Sequence, residues 1–183
     1  ETKDVKRYLG EFLMDERVID VAYWKRYLLI KGIILQIRPK KSGAAYKKIW
    51  WDEGSPLVVI SERFSKKVTK KVEVPVSLAM RYGSMSMEKG FKELTEQGVD
   101  EILLVPLYPH YAMSSYETVT VKAEQIVAEQ YPNVSMDILP TFYNKPEYLK
   151  AMSDNIKNHL DSFEYDHVLF SYHGIPERHI KKS

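Results

Sequence analysis

Glu101-Ile102-Leu103-Leu104-Val105 is the run on which the fold turns. Four apolar residues in succession suit a strand covered on both faces, and such strands belong to parallel sheets. Val134-Ser135-Met136-Asp137-Ile138-Leu139 reads as a second strand, and the segment between them reads as a helix capped by Ser114 or Ser115 and running to about Gln130. Working upstream, residues 87–97 have helical spacing, and Gly98 stands where a helix C-terminus prefers glycine. Val72-Glu73-Val74-Pro75-Val76-Ser77-Leu78-Ala79-Met80 alternates with period two, as a strand does. Working downstream, residues 145–161 read as a helix and His167-Val168-Leu169-Phe170-Ser171 as a last strand. The order is β-α-β-α-β-α-β, which predicts an α/β fold: a parallel sheet with helices on both faces.

The start of the chain is helical. Val5, Tyr8, Leu9, Phe12 and Leu13 recur at three- and four-residue spacing and give a first helix one apolar face. Residues 44–51 repeat the pattern weakly, and residues 56–71 make a longer basic helix. On that helix Lys66-Lys67 and Lys70-Lys71 read as a solvated face, because nothing aromatic is interleaved with them. The longest apolar tract, residues 27–37, is broken by Lys31 and Gly32 and is too short to span a bilayer. It reads as a core helix, with an exposed apolar lip touching a membrane surface or a flat apolar ligand as the alternative.

The 183 residues suffice for one domain, or for one and part of another. A 44% hydrophobic and 28% charged composition with net charge +2 is that of an ordinary globular protein, so charge alone calls for no nucleic acid. The chain has no cysteine, which excludes disulfides, thiolate metal sites and a cysteine nucleophile. Any metal must therefore be held by His, Asp, Glu or Tyr. Glu1-Thr2-Lys3-Asp4 carries neither an initiating methionine nor an apolar signal, so a cytoplasmic protein that begins in mid-fold is expected. Leu139-Pro140-Thr141-Phe142-Tyr143-Asn144-Lys145-Pro146 is the best candidate boundary, dividing the chain into residues 1–140 and 141–183.

The last strand leads into Ser171-Tyr172-His173-Gly174-Ile175-Pro176. A histidine at the carboxyl end of a strand, followed by residues that stop it, sits where α/β proteins place their chemistry. The hexapeptide resembles the Ser-x-His-(Gly/Ser)-(Ile/Leu)-Pro signature of ferrochelatases. The resemblance extends through Tyr8-Leu9, Phe12-Leu13, Val18-Ile19-Asp20, Arg38-Pro39-Lys40-Lys41, Ala45-Tyr46-Lys47-Lys48-Ile49-Trp50, Glu53-Gly54-Ser55-Pro56-Leu57, Ala79-Met80-Arg81-Tyr82-Gly83 and Leu107-Tyr108-Pro109-His110-Tyr111. These blocks stand in family order over nearly the whole chain. Ala112-Met113-Ser114-Ser115-Tyr116-Glu117 departs from the commoner Ser-x-Ser-Thr-Thr-Gly.

The resemblance implies a Rossmann-like fold of the chelatase type in two similar domains, the first lacking its opening strand and the second incomplete. It implies insertion of ferrous iron, as substrate metal, into a porphyrin such as protoporphyrin IX or coproporphyrin III, giving haem. A facing glutamate belongs to the remainder of the second domain, so this chain alone is expected to insert iron poorly. No organic cofactor and no nucleic-acid partner are implied; an iron–sulfur cluster and the oligomeric state stay open. A cobalt or nickel chelatase and a non-catalytic small-ligand module are the alternatives.

Metallation strips water from a cation, removes two pyrrole protons and bends the ring. An imidazole serves as neutral ligand and as proton acceptor near neutrality, which is the role implied for His173 as catalytic and metal-binding residue. Porphyrin propionates call for cations and hydroxyls, implying Arg38, Lys41, Tyr46 and Ser55 as substrate-binding residues. Arg38 and Lys41 could equally cap a helix C-terminus, Tyr46 could be a core aromatic, and Ser55 before Pro56 could be an N-cap. Tyr108 and Tyr111 are expected to pack on the macrocycle or guide the metal. His159, His167 and His179 read as solvent-facing.

Overall fold

The computed structural model describes residues 2–161 and 164–181. Helix α1 (Thr2–Met14) opens the chain; α2 (Tyr23–Tyr27) passes through a π-helical segment, Leu28–Ile34, into α3 (Leu35–Lys47). Leu9 and Leu13 from α1 close on Ile30 and Leu35 to form the core of this helical unit, with Val5, Tyr8 and Phe12 packed around it. The tract of residues 27–37 is thus helical but two-faced: Ile30 and Leu35 are buried, whereas Leu28, Leu29, Ile33 and Ile37 are exposed. Both sequence readings of it were half right. Helix α4 (Pro56–Thr69) begins on a proline; Lys66 and Lys67 on it, and Lys70 and Lys71 just past its end, all face solvent.

The α/β unit follows. Ser86 caps α5 (Met87–Glu96), its hydroxyl accepting from the Lys89 N–H, and Gly98 ends the helix with φ +82°. Strands β1 (Glu101–Leu104) and β2 (Ser135–Ile138) pair in parallel, Glu101 opposite Ser135 and Leu104 opposite Ile138. Parallel strands need a long crossover, and α6 (Thr118–Gln130), preceded by the π-helical turn Met113–Glu117, supplies it. Met87 and Phe91 of α5, Ile102 of β1, and Val119, Ala123 and Ile126 of α6 form the core. Helix α7 (Pro146–Leu160) and the short α8 (Arg178–Lys181) complete the chain.

The parallel α/β class therefore holds, with corrections in detail. Only two of the four expected strands form a ladder among the described residues. Pro75 removes a donor from the 72–80 segment, which makes only an isolated bridge, Met80 to Ser86. That segment instead lies across α5 at Gly90, where an added Cβ would stand 3.1 Å from the Ala79 Cβ. The 167–171 strand is absent as well: the segment is irregular, and Leu169 is 94% exposed. A strand joins a sheet only when its crossover helix packs on the sheet, and α7 buries none of its residues. Of the helix expected over 44–51, residues 44–47 are the end of α3 and 48–51 are not helical, and α6 starts at Thr118 without a cap from Ser114 or Ser115. Residues 139–146 are anchored: the Phe142 and Tyr143 N–H groups donate to the Pro109 carbonyl at 3.1 and 3.0 Å.

One carboxylate joins the helical unit to the α/β unit. Asp15, just past α1, is 3% exposed at its side chain, and its Oδ2 accepts from Arg81 Nη2 at 2.7 Å. Tyr82 Oη donates to the same oxygen at 3.0 Å, as does the Thr118 hydroxyl, while the Arg17 N–H donates to Oδ1 at 2.9 Å. Arg81 Nε in turn donates to the Thr118 carbonyl at 2.9 Å. Burial pushes the Asp15 carboxyl up, but hydrogen bonds from Thr118 and Arg17, and the Arg81 charge, outweigh it and hold the group below its ordinary value.

Two stability measurements follow from this architecture. Ile126→Ala, at a site 1% exposed, is expected to cost ~2–5 kcal/mol in a urea melt with an unchanged slope. Asp15→Asn removes one partner of a buried pair and is expected to cost about 3 kcal/mol at neutral pH. Because the folded chain binds the Asp15 proton less tightly than the unfolded chain, the deficit should be constant above pH 5. It should shrink as pH falls below about 4, where the wild type loses that contribution. Urea midpoints of both proteins between pH 3 and 8 read the difference.

Candidate functional site

Tyr8 is the point at which distant parts of the chain meet. Its ring stacks on Phe12 of the next helical turn at 5.8 Å, and the edge of Tyr82 meets both, at 6.3 and 5.5 Å. Burial raises the Tyr8 phenol, and Tyr46 and Tyr108 lie within electrostatic reach and raise it further. Burial likewise raises Tyr108, opposed by the Arg81 charge. Two expected substrate residues, Tyr46 on α3 and Tyr108 beyond β1, thus lie within electrostatic range of Tyr8, which the sequence places on the apolar face of α1. The Arg81 guanidinium lies 4.5 Å from the Tyr82 ring centroid, so the cation that fixes Asp15 also backs this aromatic group.

Arg38 and Lys41 come together on α3. They line a shallow groove of about 270 Å³ with Ile33, Ile34 and Ile37. Both lie in the body of α3, which runs through Pro39 to Lys47, so the helix C-terminus reading of these cations falls. Its lining combines three isoleucines with two cations, residue types suited to an apolar molecule bearing carboxylates. A larger groove, about 800 Å³, opens between α1 and residues 23–36 and is lined by none of the expected site residues.

Ser55 occupies the N-cap position of α4 with extended backbone, but its hydroxyl makes no capping hydrogen bond. Gly54, at φ +130°, makes the turn that presents it. The adjoining Glu53 accepts from Arg63 Nη2 at 2.6 Å, tying that turn to α4. Tyr111 is held from below: its hydroxyl donates to Glu117, whose other oxygen accepts from Arg17 Nε at 3.0 Å. Burial and then the Glu117 bond and charge push the Tyr111 phenol up to about 12. The neighbouring His110 ring stacks on Tyr143 at 5.3 Å.

His173 lies exposed in the irregular segment that precedes α8. No hydrogen bond, ion pair or ring contact among the described residues joins it to Arg38, Lys41, Tyr46, Ser55, Tyr108 or Tyr111. Its exposure follows from the undocked 167–171 segment. His159 and His167 face solvent as expected, but His179 is 2% exposed. Neither of its ring nitrogens has a hydrogen-bond partner, and burial followed by the Arg178 charge lowers its pKa. Among the described residues no group of three or more His, Asp and Glu stands close enough to hold a metal ion.

Sequence reasoning missed Asp15, Thr118, Arg17 and Glu117. Arg81 and Tyr82 were visible as part of a motif block, but their shared anchor is 66 residues away in the sequence for Arg81. No local pattern marks such a pair.

Comparison with known proteins identifies the family. The family model described as Ferrochelatase matches residues 1–183. A ferrochelatase of Pseudomonas fluorescens biotype C is 46% identical over 180 residues, which is 98% of this chain and 52% of the relative. That of Pseudomonas savastanoi pv. phaseolicola is 44% identical over 183 residues, covering 100% of the chain and 53% of the relative. That of Stutzerimonas stutzeri is 45% identical over 184 residues with the same coverage. The chain spans about half the length of the curated relatives it matches. With a family model matched from first residue to last, the chain belongs to the ferrochelatase family.

Proposed function

We propose that this chain supplies the porphyrin-facing wall of an enzyme that inserts ferrous iron into a porphyrin to give haem. The observation that supports the reading is the pairing of Arg38 and Lys41 in one groove with Ile33, Ile34 and Ile37, on the helix that also carries Tyr46. Aromatic rings suit the macrocycle face, and the two cations suit its carboxylates. The Ser55 hydroxyl, at a helix N-terminus and not engaged in capping, suits a carboxylate as well. His173 is assigned as the ligand that receives iron and accepts a pyrrole proton; an exposed imidazole can reach a ring seated beside it.

Iron is a substrate in this reading, and no organic cofactor is called for. The division into a domain of residues 1–140 and the beginning of a second over 141–183 is part of it, as is a cytoplasmic location. Among the described residues no helix is long and apolar enough to cross a membrane. Peripheral contact with a membrane is supported by exposed Trp24, Leu28, Ile33 and Ile37 standing among Lys25, Lys31, Arg38 and Lys41.

A visible-absorbance titration with a dicarboxylate porphyrin tests the reading. Saturable binding with a perturbed spectrum is expected, weakened about tenfold or more by Arg38→Ala as one charge-assisted contact is lost. His173→Ala should leave porphyrin affinity within a fewfold and abolish iron insertion when the facing domain is present. Absence of binding by a chain that melts cooperatively would contradict the proposal and favour a small-ligand module.

A further inference from the structure

We propose that Glu117 and Arg17 form a clamp that holds Tyr111 as a fixed, neutral phenol, so that Tyr111 offers the site a ring face and not an oxygen ligand. The functional meaning of that ring rests on the porphyrin reading above; the clamp itself rests on geometry. Each oxygen of the Glu117 carboxylate has its own donor, the Tyr111 hydroxyl on Oε2 and Arg17 Nε on Oε1 at 3.0 Å. All three groups are partly buried, Arg17 and Glu117 being 22% and 24% exposed at the side chain. The backbone N–H of Arg17 donates to Asp15 Oδ1 at 2.9 Å, which anchors the residue beside the carboxylate that joins the two units, while its guanidinium Nη1 also meets Glu16 at 3.5 Å. On the other side the Tyr111 ring lies 6.1 Å from that of Tyr116, whose hydroxyl donates to the Leu139 carbonyl at 3.0 Å.

The chemistry follows from the donor direction. Ionising Tyr111 would set a phenolate against a carboxylate that a single guanidinium balances, and would remove the hydrogen that bonds them. The hydroxyl thus stays protonated through the physiological range, consistent with the raised phenol described above. A phenol that keeps its proton is a weak ligand for a divalent cation compared with a phenolate, so the ring face is what Tyr111 offers. Glu117 is therefore a positioning residue. It stands where the commoner family pattern carries glycine, which has no side chain to clamp the tyrosine.

The test uses the chain with ¹³C at the tyrosine Cζ, the Tyr111 signal being assigned by its loss in Tyr111→Phe. In the wild type that signal should keep its neutral-phenol position beyond pH 11. In Glu117→Gly its midpoint should fall toward the ordinary value of about 10. Glu117→Gln keeps an acceptor but loses the charge, and should titrate in between. Titrated with a dicarboxylate porphyrin, Glu117→Gly and Tyr111→Phe should each weaken binding by roughly three- to tenfold, and the double variant no more than either alone, as coupled partners require. An unchanged Tyr111 midpoint in Glu117→Gly, or additive losses, would overturn the clamp. If the wild type binds no porphyrin yet the midpoint falls in Glu117→Gly, the clamp stands and the porphyrin reading alone fails.

Discussion

The Asp15 carboxylate is the constraint on which the rest of the molecule depends. A nearly buried negative charge is tolerable only if its oxygens are filled, and filling them draws in three segments: Arg81 and Tyr82 from the loop before α5, Thr118 from the start of α6, and Arg17 from the turn after α1. The helical unit and the α/β unit have separate apolar cores, so apolar burial alone does not fix one against the other. The polar joint does. It is directional where apolar contact is not, and it holds the end of α1 against the loop before α5 and the start of α6.

That orientation makes the site. With α1 fixed, Tyr8 and Phe12 meet Tyr82, and Tyr8 comes within reach of Tyr46 and Tyr108. The β1–α6 loop ends at Thr118, and its preceding residue Glu117 holds Tyr111. One side of the joint therefore carries structure and the other carries chemistry, through residues near one another in sequence: Asp15 two positions from Arg17, and Glu117 next to Thr118. A change at Asp15 is felt in the aromatic wall through Tyr82 and in the loop through Thr118.

Local rules made much of this legible and stopped where neighbours decide. Leu9 and Leu13 announce α1, Gly98 announces the end of α5, and the apolar runs announce β1 and β2, because each signal is carried by a few adjacent residues. The 72–80 and 167–171 segments look like strands because their side chains suit one, but a ladder needs a partner that sequence does not supply. Arg38 and Lys41, following the apolar tract, could read as cations at a helix C-terminus, yet α3 runs on through Pro39 to Lys47 and places them within the helix. His179 reads as a surface residue among Arg178 and lysines, and only docking of the short α8 buries it. The candidate site was legible as a set of residue types through the motif blocks. Its anchors were not, since Asp15 and Thr118 meet across 103 residues.

The most direct test of the central claim, that one aromatic and cationic face built on the Asp15 joint receives a porphyrin, is backbone hydrogen exchange with and without saturating dicarboxylate porphyrin. Slowed exchange is expected in residues 35–47 and 108–117, the segments carrying Arg38, Lys41, Tyr46, Tyr108 and Tyr111, and Asp15→Ala should abolish that footprint in a chain that still retains its helices. Porphyrin that binds to saturation while leaving both segments unchanged, or that protects only the groove between α1 and residues 23–36, would contradict it.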